Sequence, residues 1–175
     1  MKKENKLSSV FSFIAMTSGS IWFGAYIARL LTIQQMFEPV DITLKSYLNS
    51  GNLPAVFQTI YPLVNLTFFS YLIFILSFTM FIFTTNLKFK QNGWLLIISM
   101  IIFLTLPFEL IHLMIDFKLI VLHINEQFAA DQILLLIKER ISLLSSFPII
   151  LLLSYLSIPF FLIVKPFTKD SINEN

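Results

Sequence analysis

Residues Trp94–Val121 read WLLIISMIIFLTLPFELIHLMIDFKLIV, and this stretch decides the fold class. No charge occurs from Trp94 to Phe108. At a rise of about 1.5 Å per residue the stretch is about 40 Å long as a helix, more than the ~30 Å hydrocarbon core of a bilayer. Backbone amides and carbonyls have no water to bond inside lipid, so a chain that crosses there must satisfy them within itself, as a helix does. Period-2 alternation is absent from the stretch, which excludes a strand of an outer-membrane barrel.

Three further stretches share this character. They lie at about residues 10–37, 57–85 and 141–165, and the first stretch extends as a span to about 94–122. The expectation is one all-helical membrane domain over residues 1–175, four helices in an antiparallel bundle. Composition agrees. The chain has 175 residues, is 57% hydrophobic and 13% charged, and includes 20 Phe; mean hydropathy is +0.82. Soluble domains are about 25% charged. A soluble domain, a disordered chain and a nucleic-acid module are excluded, the last because the basic residues form no stripe. With no Cys in the chain, thiolate catalysis, disulfides and Cys-held metal centres are excluded too.

Lysine and arginine set the orientation. Segments 1–9, 86–93 and 165–175 carry seven Lys and a net +4, and the remaining segments a net −2. The positive-inside rule then places both termini in the cytoplasm of a bacterial-type inner membrane. The basic start and following apolar run resemble a signal peptide, but no small-residue cleavage site follows, so a retained first helix is expected. Residues 38–56 hold Pro39, Gly51 and Pro54 and read as turns. Asp131 is a candidate N-cap ahead of Gln132–Arg140, so helices three and four are expected to extend beyond the outer face and turn near Ala129–Asp131.

Two patterns bear on function. Ser20, Gly24 and Ala28, with Thr17 before them, form a small-residue stripe on the first helix. Such a stripe lets two backbones approach closely. Packing against a neighbour in the same chain is expected, with a homodimer as the alternative. Pro62, Pro107, Pro148 and Pro159 interrupt the other helices, each removing an amide and freeing a carbonyl.

The second pattern is polar. Glu109, His112 and Asp116 stand at i, i+3 and i+7 of the third helix and share a face. Glu109 lies about 22 Å along its helix and Arg29 about 28 Å along the first, both in the outer half. Gln58, Tyr61 and Asn65 repeat the spacing on the second helix, and Ser142, Ser145 and Ser146 open the fourth. Ionisable residues inside a span are costly and normally face the bundle in pairs. Arg29 is therefore expected to pair with Glu109 or Asp116, since guanidinium holds a carboxylate bidentately. The constellation is either an outward-opening polar pocket or a structural ion pair.

Sharper chemistry fails. Glu109-x-x-His112 is half of a di-iron site, and no second half exists. His112 and His123, eleven residues apart on one helix, are roughly 16 Å apart and do not ligate one haem. G-x-S-x-G, Walker A and H-E-x-x-H motifs are missing. No cofactor and no enzymatic activity are expected. The leading expectation is an accessory or scaffold subunit that packs on another membrane protein or on itself, its polar cluster holding a lipid or quinone headgroup. The alternative is a small oligomeric transporter or channel unit with Glu109, His112 and Asp116 as a proton-responsive element.

Overall fold

The computed structural model describes residues 5–38, 42–49, 51–124, 130–143 and 147–168. They form five helices in chain order: α1 Lys6–Gln34, α2 Leu53–Thr84, α3 Gly93–Ile124, α4 Ala130–Ser142 and α5 Phe147–Val164. Among the described residues there is no strand, and two isolated bridges join Phe37 to Leu44 and Asn92 to Thr168. Helices α1, α2, α3 and α5 are each long and apolar enough to cross a membrane. The chain is a multi-pass, all-helical membrane protein.

Local chemistry sets the helix starts. The Asn5 side chain accepts the Leu7 amide at 3.3 Å and caps α1. Before α2, the Asn49 carboxamide oxygen accepts the amides of Gly51 and Asn52 at 3.0 and 3.2 Å, closing the turn. Pro54 then occupies the first turn, where its missing N–H costs nothing.

Helices α1, α2 and α3 each bury a seam whose positions are spaced by three and four. On α2 the seam is Phe57, Ile60, Val64, Thr67, Tyr71, Phe74 and Phe78; on α3 it is Leu95, Ile98, Ile102, Thr105, Glu109, His112 and Asp116. On α1 it is Ala15, Ser18, Trp22, Ala25, Arg29 and Ile33. An average spacing of about 3.5 is the geometry of helices packed along their length. The α1–α2 interface is the most extensive, with Gly19 against Phe74, Trp22 against Tyr71 and Arg29 against Thr67. Positions thus fall along α2 as they rise along α1. Outer faces are as apolar as the seams, with Phe13, Phe83, Leu104 and Ile163 exposed, as expected of helices surrounded by lipid. Hydroxyls in the seams bond their own helix: Ser77 donates to the Ile73 carbonyl at 2.6 Å, Ser99 to Leu95 at 2.8 Å and Thr105 to Ile101 at 2.8 Å.

The chain after α3 departs from expectation. It does not run as one fourth helix over 141–165 extended outward; α4 is a separate short helix, and the fourth span is α5. The reason is polarity. Asp131, Lys138 and Glu139 give α4 a polar side, while Ile133, Leu136 and Ile137 bury its other face in the core formed by Ile33, Phe57, Ile60 and Leu119. Asp131 is the second residue of α4 rather than its cap, and its charge favours the helix N-terminus. Pro148 is the second residue of α5, a starting position rather than a kink. Of the turn expected near Ala129–Asp131, Ala129 lies outside the described residues, and Ala130 and Asp131 already belong to α4. A second core, around Trp22, Tyr71, Phe74, Leu95 and Tyr155, fills the other part of the bundle.

Candidate functional site

Between the two cores three helices meet at one carboxylate, and a fourth joins them through Arg29. Arg29 on α1 clamps Asp116 on α3 bidentately, Nη1 to Oδ2 at 2.7 Å and Nη2 to Oδ1 at 2.6 Å. Nη1 also donates to Thr67 Oγ1 on α2 at 3.3 Å. Arg140, from α4, donates Nε to Asp116 Oδ1 at 3.0 Å and Nη2 to Oδ2 at 3.5 Å. Its guanidinium also lies 5.9 Å from the Tyr26 ring centroid, within cation–π range. Arg29 and Asp116 are 1% and 2% exposed, so these bonds are dry and charge-assisted. Burial works against the charge on Arg140, but Asp116 and Glu109 more than offset it and hold the guanidinium above its ordinary range.

Glu109 is not the partner of Arg29. It lies below Asp116 on the same seam, 2% exposed, with Oε1 at 3.7 Å from His112 Nδ1. That distance is too long for a hydrogen bond. His112 is fully buried beside the Phe147 ring, and neither its two nitrogens nor Glu109 Oε1 has a hydrogen-bond partner. Two guanidiniums and two carboxylates thus balance in formal charge, while both guanidiniums bond Asp116 and neither bonds Glu109.

The expected second-helix face is not assembled here. Its residues stand one position off the α2 seam, so Gln58 is exposed. Tyr61 is half-buried and stacks on His123 with centroids 3.4 Å apart. Asn65 is half-buried with Oδ1 unpartnered. Ser142 is exposed and donates to the Glu139 carbonyl; Ser145 and Ser146 lie outside the described residues. The cavity beside the cluster, lined by Arg29, Ile60, Tyr61, Val64 and His123, has a volume of about 30 Å³. One or two waters fit such a space.

The small-residue stripe is also placed otherwise than expected. Ser20, Gly24 and Ala28 are exposed, and a Cβ added at Gly24 meets nothing within 4 Å. Packing within the chain is therefore corrected: the stripe lies on the far side of α1 from the seam that Trp22 and Arg29 define. The α1 glycine in close contact is Gly19, where an added Cβ would stand 2.9 Å from Phe74 Cδ2.

Sequence reasoning missed Arg140, Thr67 and Tyr26. Arg140 was legible in principle, since it follows Ile133, Leu136 and Ile137 at helical spacing on one face. Neither a protein-family model, nor a curated protein, nor a solved structure matches the chain.

Proposed function

We propose that the chain is a non-enzymatic accessory or scaffold subunit of a bacterial-type inner membrane. In this reading its spans form an antiparallel bundle with both termini cytoplasmic, and α1 docks a transmembrane helix of another membrane protein. The observation that carries it is the closure of the polar cluster. Asp116 is bonded by two arginines and the adjoining cavity is about 30 Å³, too small for a lipid or quinone headgroup and far below the ~300 Å³ of ordinary ligand pockets. The cluster then acts as a tie between α1, α2, α3 and α4. The Ser20/Gly24/Ala28 face is exposed and, at Gly24, bare enough for a second backbone to approach.

The competing reading, a small oligomeric transporter or channel unit, draws on Glu109 and His112, buried together without hydrogen-bond partners. It requires self-association, because four helices enclose little. The chain has no Cys, so Gly24→Cys supplies a clean probe. The subunit reading expects no disulfide-linked homodimer above an exposed Phe13→Cys control, and a photo-cross-linker at position 24 gives one discrete hetero-adduct in native membranes. A homo-oligomeric mass in detergent with efficient Gly24→Cys dimers transfers the case to transport.

A further inference from the structure

A larger cleft, about 370 Å³, lies on the other side of the aromatic core, away from the charge cluster. Its walls are α1 and α5 and its floor is α2 and α3. Ser12, Met16 and Ser20 form one wall, Ile158 and Ile163 the other, and Trp94 lies at one end of the floor. The lining is almost wholly apolar. Tyr155 closes the opposite end, its ring 4.8 Å from Trp22 and 6.4 Å from Phe23 by centroids.

We propose that this cleft holds one acyl chain of an anionic phospholipid whose phosphate sits at the lysine end, beside Lys165 and Trp94. Length selects the occupant. From Ser12 to Phe23 the α1 wall rises about 16 Å, close to half of a ~30 Å hydrocarbon core. A lipid tail ends at that depth. A transmembrane helix must continue through the whole core, and the Trp22–Tyr155 bridge blocks its way.

Charge selects the headgroup. Lys165 Nζ stands 5.6 Å from the Trp94 ring centroid. Phe167 holds this end in place by packing on Gly93, whose amide donates to the Phe167 carbonyl at 3.2 Å. Lys6 opens α1, and Lys88 and Lys90 lie in the turn before α3. Among the described residues at this end there is no Asp or Glu. Clustered lysines at a membrane surface attract anionic lipid.

The chain has two tryptophans, Trp22 and Trp94, and bromine on a lipid tail quenches indole fluorescence on contact. Trp22→Phe leaves Trp94 as the reporter. Reconstituted in phosphatidylcholine vesicles, it should be half-quenched by tail-brominated phosphatidylglycerol at a mole fraction about threefold or more below that of tail-brominated phosphatidylcholine. Lys165→Gln, at an exposed position, should remove the difference, and Ser12→Phe should weaken quenching by both lipids. Equal curves for the two lipids overturn the proposal, because the cleft then takes any tail. A preference that survives Lys165→Gln overturns the headgroup placement. Absence of quenching by either lipid shows another occupant.

Discussion

Asp116 is the residue on which most depends. Its carboxylate takes hydrogen bonds from Arg29 and Arg140, so neutralising it strands two cations in a dry interior. Asp116→Asn is expected to cost about 3–5 kcal/mol, the range for removing one partner of a buried ion pair. Arg140→Ala is expected to cost less, since Arg29 keeps its bidentate geometry. The double variant Arg29→Ala/Asp116→Asn should fall short of the sum of its singles by at least about 1 kcal/mol, whereas Arg29→Ala with Glu109→Gln should be close to additive. Reversible unfolding in mixed detergent measures all of these; additivity in the Asp116 cycle refutes the tie. The sequence placed Arg29 and Glu109 at similar depth, with Asp116 about 10 Å further along α3, because spacing and rise are arithmetic. It left Glu109 and Asp116 as equal candidates for the partner because they share a seam, and which of two carboxylates a guanidinium reaches depends on how α1 and α3 are offset. That offset is a tertiary quantity.

At the scale of elements, legibility follows from how far a helix's faces differ. The four spans were readable because charge is missing from each for most of a bilayer's thickness. The α2 and α3 seams carry their own marks, Thr67 on one and Thr105, Glu109, His112 and Asp116 on the other, at alternating steps of three and four. On α1 both sides hold small residues: Ala15, Ser18 and Ala25 in the seam, Ser20, Gly24 and Ala28 outside it. Composition does not separate those sides; the bulk of Trp22 and the charge of Arg29 do. A sign test follows for the two glycines. Gly19→Ala places a methyl 2.9 Å from Phe74, whose ring is 6% exposed and stacked on Trp22, so overpacking of about 1–3 kcal/mol is expected. Gly24→Ala in the purified chain should be neutral or stabilising by up to about 1 kcal/mol, the helix preference of Ala over Gly. Thermal denaturation of both in one detergent checks this. Loss of stability at Gly24 alone would mean that the stripe packs within the chain after all. α4 is legible as helical from Asp131 to Arg140 but reads as an extension of the fourth span; its own buried face of Ile133, Leu136 and Ile137 marks it as a separate helix.

For the whole molecule, which segments share an end is independent of charge counting. Phe37 and Leu53, flanking the first connection, bury in the same core as Ile133 and Ile137 of α4, so the α1–α2 loop and α4 lie at one end. At the other, the Asn92–Thr168 bridge and the Gly93–Phe167 contact join the start of α3 to the end of α5. Charge bears separately on which end faces the cytoplasm, and the proposed orientation puts the lysine-rich end there by the positive-inside rule. Single cysteines at exposed positions separate these two steps. Ser46→Cys and Gln132→Cys should both react with an impermeant thiol reagent in intact cells, and Gln91→Cys should react after permeabilisation alone. Reaction at Gln91 with protection at Ser46 and Gln132 inverts the orientation and leaves the bundle intact. Opposite behaviour of Ser46 and Gln132 is the more damaging result. It would place α4 away from the first connection, detach Arg140 from Asp116, and remove the helix that covers the charge cluster at that end of the bundle.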